Sequence, residues 1–264
     1  MKPCISEATT LPCSFAEDVA AYADAACPGM EVWLTKLEDH LESHSLADTQ
    51  KLLGERHMTL AAAAYQGGLL LSQGEQRRAH FAHFRKRLEL CRALGIPTLI
   101  VVADFAEPVD ATGVERAVVS LREAAQYAAG CNVRLALEFR AKNAFCASLD
   151  TALALVAQCE APNVGINFDV FHYYTGPSKF EDLQLLAPEL LAHVQLCDIA
   201  GVPRELATDG DRILPGDGDF NLAPLLDHVR RIGYDGWISL ELMNPTQVAE
   251  VGFTALRKVL GLAS

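Results

Sequence analysis

Short apolar runs alternate with amphipathic stretches of helical period about eight times along the chain. Such alternation predicts parallel strands joined by crossover helices. Strands are expected at Pro3–Thr10, Met30–Thr35, His57–Tyr65, Pro97–Asp104, Val133–Phe139, Val164–Phe168, His193–Cys197 and Trp237–Leu242. Helices are expected at Ser14–Ala26, Ser45–Arg56, Glu75–Leu94, Val114–Ala129, Ser148–Cys159, Phe180–Leu191, Leu222–Ile232 and Thr246–Leu260. Ser14 and Glu17 have the spacing of a capping box, and Gly95 stands where the third helix should stop.

Eight strand–helix pairs use up the 264 residues. That is the size of a (β/α)8 barrel, typically about 250 residues in one domain, so the fold class is α/β and residues 1–264 are expected to form a single barrel. An open doubly wound sheet would carry a Gly-rich phosphate turn after its first strand. Here Glu7-Ala8-Thr9-Thr10-Leu11-Pro12 follows instead.

The formal charge of −12 excludes a nucleic-acid partner unless basic residues cluster. The densest basic run, Arg77-Arg78 to Arg85-Lys86-Arg87, has the spacing of one solvated helix face. The 8 cysteines are scattered, with no CxxC pair or zinc-finger spacing, and are expected to act as small hydrophobes. Neither a secretory signal nor a run of about 20 apolar residues is seen. A soluble cytoplasmic enzyme with no membrane partner is expected; whether it forms a homo-oligomer is left open.

In a barrel, chemistry sits where strands end at their C-terminal side. The fifth run ends at Glu138, the sixth at Asp169, the seventh carries Gln195, and the eighth leads to Glu241-Leu242-Met243-Asn244. Period-two alternation puts Glu138 on the face of Ala136 and Glu241 on the face of Ser239. Carboxylates turned inward need a counter-charge. Glu138, Asp169, Gln195 and Glu241 are therefore candidate ligands of one divalent ion. An all-oxygen set suits manganese or magnesium before cobalt or zinc. Singly, each of the four could be a capping, loop-starting or core-amide residue; together, on consecutive strands, they point to a metal.

These segments carry a resemblance. Glu138, the run Asp169-Val170-Phe171-His172, the strand-seven segment, the loop Leu214-Pro215-Gly216-Asp217-Gly218-Asp219-Phe220 and Glu241 resemble the xylose isomerase-like barrel superfamily. The likeness covers most of the chain, strongest from Leu135 to Pro245 and weak before Ala61. The group holds sugar isomerases and epimerases, inosose and dehydroshikimate dehydratases and endonuclease IV. It implies the same four metal ligands, with the strand-five and strand-eight Glu pair moving protons in epimerases. Many members carry His-x-x-Asp on strand seven; here Gln195 stands three before Asp198, as dehydroshikimate dehydratases of this group can have it. Endonuclease IV fits poorly, since its three-zinc cluster needs many His ligands and the charge here repels DNA.

The expected activity is a metal-dependent isomerase or epimerase of a sugar, sugar phosphate or related polyol, transferring protons through an enediolate. Glu138 and Glu241 would be base and acid, and His172 would orient a hydroxyl, protonate a leaving group or support the ligands. The alternatives are a lyase that dehydrates a cyclic ketone such as inosose or dehydroshikimate, and a barrel that binds a sugar without catalysis. Arg212, Arg204 and Arg140 are candidates to grip a substrate anion, with surface ion pairs to Asp209 or Asp211 as the alternative for Arg204 and Arg212. Trp33 and Tyr65 are candidates to stack on a sugar ring or simply to pack. Glu31 and Lys36 are placed with Trp33 at the end of strand two, closing the pocket.

Overall fold

The computed structural model describes residues 1–243 and 249–262. Eight parallel strands close into a barrel in the order β1 to β8, a (β/α)8 fold. The elements run β1 Lys2–Ser6, α1 Phe15–Asp24, β2 Gly29–Trp33, α2 Leu34–Leu41, α3 Leu46–Glu55, β3 Thr59–Gln66, α4 Gly74–Leu94, β4 Thr98–Val102 and α5 Ala111–Gly130. They continue as β5 Arg134–Glu138, α6 Leu149–Cys159, β6 Val164–Asp169, α7 Val170–Thr175, β7 Leu191–Leu196, α8 Leu222–Arg231, β8 Trp237–Leu240 and α9 Ala249–Val259. The expected helix start at Thr246 and the strand-eight ending at Asn244 lie outside the described residues.

Local chemistry accounts for the boundaries. Ser14 and Glu17 form the expected capping box before α1, and Gly95 ends α4 in the left-handed conformation at φ 69°, which a Cβ would oppose. The first strand stops at Ser6 rather than Thr10, because the Ser6 hydroxyl accepts from Ala8 N and opens a 3₁₀ turn over Glu7–Thr10. The second stops at Trp33, whose backbone N–H leaves the ladder for Glu7 Oε2 at 2.7 Å, and α2 follows at once. Lys36 is thus a buried helix residue, not a strand end. A helix over Phe180–Leu191 does not form. Pro188 removes a donor inside it, leaving 3₁₀ turns at Phe180–Leu185 and Pro188–Leu190. His57 precedes β3 in a turn with φ 52°, and does not begin the strand.

By contacts the chain groups into two compact units, Met1–Ala63 with Val194–Ser264, and Ala64–His193. In the first, β1 pairs with β2 and β8, and β7 with β8. The register sets Ser6 beside Glu31, Cys4 beside Ser239, and Gln195 beside Ser239. Register partners in parallel strands share a face, and residues two apart return to it. Ser6, Glu31, Gln195 and Ser239 therefore lie on one face, with Glu241 two residues past Ser239. In the second unit Val102 is beside Glu138, and Glu138 beside Asn167, so Glu138 shares its face with Asn167, two residues before Asp169.

The basic run is not one solvated face. Arg77 turns in to Ser120 and Glu123 at 2.5 and 2.6 Å, and buried Arg87 donates to Tyr65 O at 2.9 Å. All 8 cysteines are free thiols. Burial pushes Cys27, Cys91 and Cys146 up to about 12, so they stay protonated and apolar in character. Among the described residues no helix is long and apolar enough to cross a membrane.

Candidate metal centre and acid network

In the second unit β5 delivers Glu138 and β6 delivers Asp169 at their last positions. Helix α7 starts on the next residue, because Asp169 Oδ1 accepts from Phe171 N at 2.8 Å and caps it. One helical turn then brings His172 back over Asp169, since positions three apart share a face. His172 Nε2 lies 3.3 Å from Glu138 Oε1 and 3.6 Å from Asp169 Oδ2. One ligand atom from each of the three lies within 4.8 Å of the others. Exposure is 9% for Glu138, 0% for Asp169 and 5% for His172, so water does little to screen the two carboxylates. The other ring nitrogen, His172 Nδ1, is buried with no hydrogen-bond partner among the described residues.

The donor set fits a divalent cation. Two ligands at ~2.0–2.2 Å from one ion stand at most about 4.4 Å apart, and the 3.3 and 3.6 Å separations fall inside that span. The expectation of an all-oxygen set changes here, because His172 adds an imidazole nitrogen. That widens the choice toward zinc and cobalt, beside manganese.

In the first unit the same face carries a different arrangement. Gln195 Nε2 donates to Glu31 Oε1 at 2.9 Å and to Glu241 Oε1 at 2.7 Å. Ser6 Oγ donates to Glu31 Oε1 at 2.7 Å. Arg212 Nη1 meets Glu241 Oε2 at 3.0 Å, while its Nε and Nη2 close on Asp209 Oδ1 at 3.1 and 2.8 Å. A continuous chain thus runs Ser6–Glu31–Gln195–Glu241–Arg212–Asp209. The Arg212 side chain is 3% exposed and Glu241's is 9%, so the ion pair is desolvated. The fork expected to grip a substrate anion is taken up within the chain by Asp209.

Asp198, three residues past Gln195, organises the loop that holds Arg212. Its Oδ1 accepts from Ile199 N and Phe220 N, and its Oδ2 from Gly216 N. Its backbone bridges that of Ile213 in both directions. A Cβ at Gly218 would run into the Asp198 carboxylate and Ile199 O, so this turn needs glycine for close approach.

The remaining predicted residues sit as follows. Arg204 is exposed and paired with its neighbour Glu205 at 3.2 Å. Arg140 is half-buried just past β5, Trp33 is half-buried as the N-cap of α2, and Tyr65 is 42% exposed near the end of β3. Lys36 Nζ binds Asp18 Oδ2 at 2.6 Å, Thr10 O at 2.7 Å and Glu7 O at 3.2 Å, a structural clamp rather than a pocket residue.

Residues 19–259 match the family model of the xylose isomerase-like TIM barrel. The chain belongs to that family. An inosose isomerase of Bacillus velezensis is 27% identical over 253 residues, which span 93% of this chain and 89% of that one. A 3-dehydroshikimate dehydratase of Pseudomonas aeruginosa is 25% identical over 244 residues, 91% of this chain but 37% of that one. In fold, the chain is similar to a crystal structure of the IolI protein with a bound zinc atom. The TM-score is 0.92 at 24% identity, over 99% of this chain and 98% of that chain.

Three buried residues were not anticipated in these roles from the sequence: Ser6 and Glu31 in the bonded chain, and Glu7 next to Ser6 in sequence. Glu31 was placed as a pocket-closing residue, and its bond to Gln195 spans 164 positions. Glu7, at the end of the first apolar run, is fully buried against Asp18 and Lys36. The one available signal was its charge at a position expected to be in a strand.

Proposed function

We propose that this xylose isomerase-like enzyme is an isomerase or epimerase that uses one divalent ion to move a proton next to the carbonyl of a sugar, sugar phosphate or related polyol. The observation that carries the reading is the buried Glu138–Asp169–His172 group, with two carboxylates and an imidazole nitrogen spaced for one cation. The inosose isomerase relative supports a polyol ketone as substrate.

Glu138, Asp169, Gln195 and Glu241 are proposed as the metal ligands, with His172 as an adjoining donor. Gln195 would offer its carbonyl oxygen, its amide nitrogen being turned to Glu31 and Glu241. A bound divalent ion would polarise the substrate carbonyl and acidify the neighbouring C–H. Glu138 would take that proton, the C–H pair moving into the carbon–carbon bond of an enediolate. In an epimerisation Glu241, after taking a proton from solvent, would return it to the opposite face of that carbon and Glu138 would release its own; in an isomerisation the proton held on Glu138 would return to the neighbouring carbon. Arg212 fixes Glu241, and His172 would orient a hydroxyl. Arg204, Arg140, Trp33 and Tyr65 remain proposed substrate contacts.

A second reading has its own support. The strand-seven ligand position carries Gln195 instead of His, and a dehydratase is among the relatives. In a dehydratase the same enolate would expel a β-hydroxyl, and His172 would protonate it as water.

The test is incubation of manganese- and magnesium-loaded protein with inososes, ketoses and dehydroshikimate in heavy water. Deuterium entering at the carbon beside the carbonyl, without loss of water, supports the isomerase. A new conjugated absorbance moves the assignment to the dehydratase. Binding without any exchange would sink both and leave a sugar-binding barrel.

A further inference from the structure

A side-chain amide has two ends of nearly equal size, one donating and one accepting. Packing alone does not choose which end of Gln195 faces which way. A carboxylate oxygen that bears no proton does choose, because it only accepts hydrogen bonds. Glu31 is 0% exposed within β2, and its Oε1 takes both the Gln195 amide at 2.9 Å and the Ser6 hydroxyl at 2.7 Å. Ser6 and Glu31 are register partners on adjacent strands, so that oxygen is anchored from the side of β1 before Gln195 reaches it. Glu241 also accepts from the amide, but it is itself proposed to bind the cation and cannot serve as an independent reference.

We propose that Glu31 is a positioning residue that sets the polarity of Gln195: it holds the amide nitrogen and so turns the carbonyl oxygen away from the two carboxylates. A hard cation takes that oxygen and not an amide N–H. Carboxylates behind a ligand commonly orient it in this way. The consequence for metal binding rests on the reading of Gln195 as a ligand; the orientation itself does not.

The experiment therefore has two arms. In the metal-free protein labelled with nitrogen-15, the Gln195 side-chain NH₂ signal is identified by its disappearance in Gln195→Glu, and its exchange with water is measured. Glu31→Leu should speed that exchange about tenfold or more. Glu31→Gln keeps an oxygen acceptor at the same place and should leave it within a few-fold. Ser6→Ala removes only the anchor and should give an intermediate rate, which serves if Glu31→Leu does not fold. In the second arm, calorimetric titration with manganese should show affinity lowered ~10–100-fold in Glu31→Leu and largely kept in Glu31→Gln. Unchanged amide exchange in a folded Glu31→Leu, or in Ser6→Ala should Glu31→Leu not fold, overturns the proposal. If wild type takes up neither manganese nor zinc while Glu31→Leu loosens the amide, the metal reading fails and the orienting role stands.

Discussion

The two units each bury carboxylates on or just past their strands, yet they neutralise them differently. In the first unit, Glu31 and Glu241 are met by N–H and O–H donors from Gln195, Arg212 and Ser6 at 2.7–3.0 Å. In the second, Glu138 and Asp169 meet an imidazole nitrogen at 3.3 and 3.6 Å, and one Asp169 oxygen is spent on capping α7. A buried carboxylate left uncompensated costs several kcal/mol. The first unit supplies its compensation from the chain; the second keeps the spacing that a cation would fill. The lesson is that buried acids differ by what is turned toward them: ligand atoms within 4.8 Å of one another suit an ion, and N–H and O–H donors at hydrogen-bond distance make a bonded network.

The largest effect expected from breaking this contrast is at Glu138. Glu138→Gln keeps the shape but removes both a charge and a proton acceptor. Turnover should fall about 10²–10⁴-fold, the usual worth of a positioned base, with weaker manganese binding seen by calorimetry. The first unit's chain should not respond, so the melting temperature of the metal-free protein should hold or rise as a buried charge is lost. A variant that binds manganese as wild type does would remove Glu138 from the ligand set.

Arg212→Met probes the other side. It strips the counter-charge from buried Glu241 and from Asp209 while keeping much of the side-chain bulk. Breaking a buried pair by removing one partner costs about 3–5 kcal/mol, read by urea denaturation of the metal-free protein. Asp209 is 35% exposed, so Asp209→Asn should cost clearly less. A loss below about 1 kcal/mol for Arg212→Met would mean that Glu241 reaches solvent, and the contrast between the units would collapse.

Much of the architecture was legible because burial imposes a period. Every expected strand has a counterpart, since a strand needs only a short apolar run with punctuation around it. Boundaries failed where one side chain captured a backbone N–H, as at Ser6 and Trp33, and where Pro188 interrupted an otherwise helical pattern. The strand-end positions of Glu138 and Asp169 were legible because an apolar run stops there on an acid. The helix α7 was not, because the 6 residues Val170–Thr175 are too few to show a helical period. Its start depends on the Asp169 cap, and the placing of His172 beside Glu138 depends on that start. Glu31 lay between Met30 and Val32 as an ordinary alternating polar position. Its partner came from the far end of the chain, and no local pattern encodes such a pairing.

The smallest effect, and the most selective, is expected at a further buried acid that neither scheme covers. Burial first, and the adjacent Asp18 charge second, push Glu7 well above the usual carboxylate range, against the opposing pull of Lys36 and the Trp33 N–H. Tyr22, also buried here, bonds Thr10 and the Ser6 carbonyl through its hydroxyl, and brings no charge of its own. One cation, Lys36, is held by Asp18 at 2.6 Å, so the chain gives one acid its counter-charge and leaves the second to keep its proton. The folded state therefore binds a proton at Glu7 at pH values where the unfolded chain has released it. Stability gained this way is present at low pH and is lost as pH rises through the folded-state value. Glu7→Gln copies the protonated form and keeps the Trp33 N–H acceptor. Its stability should match wild type near pH 4, exceed it as pH rises, and show a flatter profile in urea denaturation followed from pH 4 to 9. A wild-type profile parallel to that of Glu7→Gln would mean that Glu7 is ionised in the fold, with Lys36 shared between two carboxylates after all.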